Sequence, residues 1–207
     1  GGVLIIPAVL YLPPLFQLPT VGIKAATGVA ATQAIASSLS ASWIHFKQNN
    51  LQLSLVLTLG LCAVLSGYVG ALHSGHMDDG ILNIILFLTI IFVIQAYWRK
   101  KPSKKDDISI QLSFKDMLSR QNIVPACLLS IGAGYISGLL GIGGSLFLIP
   151  IMVILLKIPT KNAIGSGAGT VLLITTASVI GKLQQGIVPL PEALTVTAGA
   201  LVGGFLG

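Results

Sequence analysis

Gly141-Ile142-Gly143-Gly144-Ser145-Leu146-Phe147-Leu148-Ile149-Pro150 is the stretch whose reading decides the fold. Glycine is a poor residue for a helix interior, so three of them in four positions break an apolar run in the middle. A long apolar segment then follows, opening on Ala163-Ile164-Gly165. The same order occurs earlier: Gly1-Gly2-Val3-Leu4-Ile5-Ile6-Pro7, and later Ala26-Thr27-Gly28. Glycine-interrupted hydrophobic segments at corresponding places in two halves are a sequence pointer to the central binding site of a membrane transporter.

Composition agrees with a membrane setting. Of the 207 residues 54% are hydrophobic and only 9% charged, and the mean hydropathy is +0.91. Soluble domains carry about 25% charged residues. This chain cannot cover a globular surface with charge, so it reads as an integral membrane protein. The net charge of +6 is concentrated: Arg99, Lys100, Lys101, Lys104, Lys105, Lys115 and Arg120 share one stretch with Asp106, Asp107 and Asp116. A basic run can serve nucleic acid, but beside an apolar span it marks a cytoplasmic loop by the positive-inside rule. No nucleic-acid partner is expected.

The apolar runs are 2–16, 25–45, 51–72, 80–98, 123–140, 143–158, 163–183 and 187–206. They are too long and too uniform for the ~10-residue alternating strands of a membrane barrel. The fold class is therefore all-α, a polytopic helical membrane protein. The two runs flanking Gly141–Gly144 are about 16 residues each, or about 24 Å as helix, short of the ~30 Å hydrocarbon core. They read as glycine-broken half-helices meeting near the midplane.

The repeat can be tested by subtraction. An offset of 137 pairs Gly28 with Gly165, Gln48 with Gln185, Thr58 with Thr195, Gly67 with Gly204 and Gly70 with Gly207. Over residues 26–70 it gives ten identities in 45. Pro7 pairs with Pro150 at 143, so about six extra residues fall in the Tyr11–Ile23 loop. The expected organisation is a first repeat at 1–98, a cytoplasmic basic loop at 99–122 and a second repeat at 123–207. A leading helix of the first repeat and a closing helix of the second are expected beyond the two ends.

Relative orientation stays open at this level. If 123–158 is one broken crossing, the halves are parallel and Lys182 lies on the cytoplasmic side. If it is a helical hairpin, the halves are inverted and Lys157 and Lys161 lie there instead. The lysine tallies of the two readings differ by one.

Among polar residues, Gly141, Gly143, Gly144 and Ser145 can present backbone N–H groups at a helix start, which attracts anions without a charged side chain. Ser166, Gly167 and Thr170 lie near the start of the long second-half helix, and Thr27, Gly28 and Gln33 form their first-half counterpart. The alternative use of such glycines is close helix packing, the reading given to Gly132, Gly134, Gly138, Gly199, Gly203 and Gly204. Lys182 aligns with His45, and both read as interfacial residues closing a helix, the lysine snorkelling. Glu192 suits the first turn of a span. His73, His76, Met77, Asp78 and Asp79 read as a solvated external loop. Cys62 and Cys127 have no C-x-x-C spacing and read as packing residues. No phosphate loop, dinucleotide fingerprint or nucleophile–base set is present, and the only metal-like cluster is that external loop, so no enzyme activity, cofactor or metal is expected.

Residues 141–150 resemble the G-x-G-G-G-x-x-x-x-P motif of the sulfite exporter TauE/SafE family, as does Gly1-Gly2-Val3-Leu4-Ile5-Ile6-Pro7. Ala-x-Gly at 26–28 and at 163–165 is similar to that family's A-x-G-T-S helix start, and His45-Phe46-Lys47-Gln48-Asn49-Asn50 to its H-Y-x-x-G-x turn. The resemblance implies a permease for small anions such as sulfite, sulfonates and related organosulfur compounds. It implies a multi-pass protein of the bacterial inner membrane whose partners are the anion, the bilayer and possible coupling ions. Ser145 replaces the third glycine, Gly167 stands where the family often has Ser, and Val29-Ala30 replaces Thr-Ser. A membrane-embedded assembly subunit that conducts nothing is the competing expectation.

Overall fold

The computed structural model describes residues 2–15, 21–98 and 123–206, and these contain helices with no strand. The basic loop at 99–122 lies outside the described residues. In chain order the helices are α1 (Gly2–Leu15), α2 (Ile23–Lys47), α3 (Leu53–His76), α4 (Asp79–Trp98), α5 (Ile123–Leu140), α6 (Ser145–Pro150), α7 (Thr160–Gln184) and α8 (Leu190–Leu206). Three of them, α3, α5 and α7, are long and apolar enough to cross a membrane.

Local chemistry explains the ends. α2 stops where Asn49 takes a left-handed φ of 56°, and α7 stops where Gly186 does so at 66°. Asn and Gly tolerate that conformation best, and it closes a helix C-terminus. The two residues are 137 apart, the offset found in the sequence. α6 continues through Pro150 into a π-helical turn at Ile151–Leu155. Pro150 has no N–H to give the preceding turn, and the helix widens directly after it.

The chain reverses at Gly141–Gly144, so α5 and α6 form a hairpin. Met152, Leu156 and Ile158 return to pack with Leu55, Leu59, Ala126 and Ala163, near the beginnings of α3 and α5. This is the hairpin alternative: Lys157 and Lys161 stand at the same end as Lys47, and Lys182 at the opposite end. α7 runs antiparallel to α2 and parallel to α3. A Cβ on Gly28 would lie 2.9 Å from the Ile187 carbonyl oxygen, and one on Gly165 would lie 2.7 Å from that of Asn50. Each of these long helices thus has a glycine early in its course against the loop that follows the other.

Packing is closest between α3 and α5. A Cβ on Gly134 would run into the Ala63 carbonyl and Ser66 Oγ, and one on Gly138 into the backbone of Gly67. Small residues let helix backbones approach where no hydrophobic force separates lipid from protein. Gly204 is also against Ser40, and Cβ atoms on Gly132, Gly199 and Gly203 would meet nothing within 4 Å among the described residues. The outer face of α3 is an apolar stripe of Leu53, Leu57, Leu61, Leu65 and Val69, each more than 40% exposed. At i, i+4 spacing this is one face of the helix, suited to lipid tails.

Candidate functional site

The glycine turn lies inside the protein. Gly141, Ile142, Gly143 and Gly144 are all buried, and φ is +71°, +85° and +70° at the three glycines. Ser145 is already helical, so the position where the resemblance has a third glycine makes no demand for a left-handed residue. α2 and α7 clamp the turn from two sides. Gly141 abuts the Thr27 carbonyl and Ala31, while a Cβ on Gly143 would come 3.0 Å from Val171 and 3.5 Å from Ala34.

Helical backbone satisfies its own polar groups; this turn does not. Gly141 N–H donates to the Ser137 carbonyl at 2.7 Å, and Phe147 and Leu148 N–H both reach Gly144 O. Among the described residues, no protein acceptor takes the N–H of Gly143, Gly144 or Ser145. Buried N–H groups are nearly always paired, so this cluster of donors stands out. Ser137 adds to it: its Oγ is buried without a partner and lies 3.3 Å from where a Cβ on Gly144 would be. The turn thus offers several neutral donors, and among the described residues no group of three or more His, Cys, Asp or Glu side chains could hold a metal.

Lys182 sits beside this turn, not at an interface. It is fully buried, and its Nζ donates to Thr27 Oγ1 at 2.9 Å, Ser74 Oγ at 3.0 Å and Leu139 O at 3.0 Å. The snorkelling reading is therefore corrected: three acceptors from three other helices hold the ammonium inside, and water is not needed to solvate it. A sequence signal was available. Val171, Thr175, Ser178 and Lys182 are spaced 4, 3 and 4 apart, one helix face. That face meets the turn through Val171 and Thr175 and the end of α5 through Ser178 to Gly138 O at 3.3 Å.

The same end corrects a second expectation. His73 through His76 are helical, not loop, and only Met77 and Asp78 separate α3 from α4. Contacts hold this last turn of α3: His73 Nδ1 to Tyr135 OH at 3.0 Å, Lys24 Nζ to Gly75 O at 3.1 Å, and Gln185 Nε2 to Leu72 O.

The other residues singled out from sequence divide. Thr27 joins Lys182 and the turn. Gly28 is occupied against Ile187 and Val188. Gln33 is buried on α2 with Oε1 unpartnered. Ser166 and Thr170 face α3: Ser166 Oγ accepts from Gln52 N–H at 2.9 Å, Thr170 Oγ1 donates to Ser166 O, and Thr170 Cγ2 lies near Gly60. Gly167 meets Ile149. The structure therefore gathers Gly141, Gly143, Gly144, Ser145 and Thr27, and sets Ser166, Gly167 and Thr170 on neighbouring faces. Glu192 stands in the first turn of α8, where a carboxylate suits the helix dipole. A separate groove of 490 Å³ between α1 and α4, lined by Pro7, Tyr11 and Asn83 with five apolar residues, includes none of these groups.

Comparison with known proteins agrees with this architecture. The chain is 25% identical over 221 residues to a probable membrane transporter protein of Methanocaldococcus jannaschii, covering 100% of this chain and 77% of that protein. It is 24% identical over 212 residues to the probable membrane transporter protein YdhB of Bacillus subtilis (100% and 80%). It is 26% identical over 223 residues to YunE of the same organism, also a probable membrane transporter protein (100% and 79%). No solved structure matches. The family described as sulfite exporter TauE/SafE matches residues 1–207, and with helices suited to a bilayer the chain belongs to that family of integral membrane transporters.

Proposed function

We propose that the protein is a permease that moves a small anion, sulfite or a sulfonate, through the bacterial inner membrane by alternating access at the Gly141–Gly144 turn. One observation carries this reading: the N–H groups of buried Gly143 and Gly144 and of half-buried Ser145 have no protein acceptor among the described residues. An anion accepts from such groups at low cost, because preorganised donors in a dry site are stronger than in water. Gly141 and Ser137 close the cradle on the α5 side. Thr27 joins the cradle from α2, and Gln33 lies buried further along that helix with Oε1 unpartnered; Gly28, Ser166, Gly167 and Thr170 support the site through packing.

In this reading α5 and α6 are half-helices meeting at the site, and the chain is two inverted repeats. The support is reciprocal: Gly28 against Ile187 and Gly165 against Asn50 are the same contact under the 137 offset. Inverted repeats supply the two exchanging conformations of alternating access. The end that carries Lys47 and Lys157, where α5 begins, faces the cytoplasm, in keeping with the basic composition of 99–122. Transport draws on the anion's own gradient or on a coupled ion, and no chemical conversion is involved.

The test is uptake of labelled sulfite and of a labelled sulfonate into liposomes containing the full-length protein. Wild type transports; the double variant Gly144→Leu, Ser145→Leu, which fills the cradle, does not. Transport unchanged in that variant removes the site assignment.

A further inference from the structure

Lys182 has a feature that the cradle alone does not use. The two hydroxyls that hold it have already committed their own protons: Thr27 Oγ1 donates to Lys24 O at 2.7 Å and Ser74 Oγ to Ala71 O at 2.7 Å. Each hydroxyl has one proton, so towards Lys182 both oxygens can only accept. Leu139 O can only accept as well. Three obligate acceptors require three donated protons, which an ammonium supplies and a neutral amine does not. This donor demand matches Lys182 as an ammonium.

No carboxylate balances it. Among the described residues, Asp78, Asp79 and Glu192 are all exposed, and Asp79 lies 3.8 Å from Lys24 instead. The last turns of α3, α5 and α7 meet at Lys182, and their dipoles favour a cation, while Thr27 brings the N-terminal part of α2 to the same group. A positive charge inside a low-dielectric interior still projects a field, and the neighbouring unsatisfied element is the glycine turn. Leu139, which accepts from Lys182, is two residues from Gly141, and Thr27 touches both.

We infer that Lys182 is the fixed countercharge of the transported anion: it sets how strongly the site prefers more highly charged anions without touching them, its three protons being spent on the protein. The inference rests on the transport reading above. It makes Lys182 a positioning charge and assigns the site a substrate class, small oxyanions with dianions favoured over monoanions of similar size. Uncharged analogues are bound only through the backbone donors.

The experiment measures dissociation constants of sulfate and methanesulfonate on full-length protein in detergent, with dimethyl sulfone as the uncharged control. At an effective dielectric constant of about 20, a fixed charge within roughly 10 Å of a ligand changes affinity about tenfold per unit of ligand charge. Lys182→Met is expected to weaken methanesulfonate about tenfold and sulfate about a hundredfold, lowering their affinity ratio about tenfold and leaving dimethyl sulfone unchanged. Lys182→Arg keeps the ratio, and so does Ser74→Ala, which removes a hydrogen bond but not the charge. If Lys182→Met is not monodisperse, Lys182→Gln is read in its place. Equal weakening of both anions, or none, overturns the inference while the transport reading stands. Wild type that binds neither anion removes the transport reading and this inference with it.

Discussion

Lys182 Nζ and Thr27 Oγ1, 155 residues apart in the chain, are joined by a 2.9 Å hydrogen bond that ties the last turn of α7 to the first turn of α2. The bond crosses the end of α5, and both partners flank the turn where that helix breaks. A buried ammonium cannot lose an acceptor cheaply.

Thr27→Val keeps the shape and removes the acceptor. It is expected to lower stability by about 1.5–3 kcal/mol, the value of a hydrogen bond to a charged group, while Thr27→Ser keeps the acceptor and costs only about 0.5–1.5 kcal/mol for the buried methyl it removes. Thermal unfolding in detergent checks both. An unchanged melting temperature for Thr27→Val would mean that Lys182 is not held as described.

The hairpin fixes which loops share a side of the membrane. In a background with Cys62 and Cys127 replaced by Ala, Asn49→Cys and Lys157→Cys should react with an impermeant maleimide from one face. Met77→Cys and Gly186→Cys should react only from the other. Labelling of Lys157→Cys together with Met77→Cys would instead indicate a single broken crossing.

At Gly138 the demand is space, since the backbone of Gly67 occupies the position of a Cβ. Gly138→Val should push α5 off α3 and cost at least about 1–3 kcal/mol, the usual range for overpacking. Gly132 faces open space, and Gly132→Val is the matched control that should retain a wild-type melting temperature.

At Gly143 the demand is conformation. With φ at +85°, Gly143→Ala should cost about 1–2 kcal/mol from backbone strain alone, and more through the nearby Val171 methyl. Ser145→Gly, inside the helix, should cost no more than about 1 kcal/mol. Circular dichroism melts of the pair separate the two; equal losses would contradict the turn geometry.

Much of the fold was legible from hydropathy, because a span is a local property of consecutive residues. The apolar run at 51–72 became α3, that at 163–183 became α7, and the glycine cluster became the chain reversal. Direction was not legible, since one lysine separated the two tallies, while packing of Met152 and Ile158 on Leu55 decided it. The site was legible in part. Glycines announce a turn, but Ser166 looked equally available until Gln52 N–H was found on its hydroxyl. Lys182 was misread because a lysine at a helix end normally reaches water; only three helices converging on it make burial possible. The extra turn of α3 through His76 was hidden for the same reason, its anchors being Tyr135, Lys24 and Gln185.

Gly28 lies under Ile187 and Val188, and Gly165 under Asn50, which has a bearing on synthesis. Once the chain has been synthesised through α4, the position against Gly28 has nothing to fill it, and it stays open until the loop after α7 emerges. The early half can insert in the bilayer but cannot finish its own tertiary structure. Expressed as two separate polypeptides, the halves would each await the other, and co-expression would be needed to recover either in a protease-resistant form.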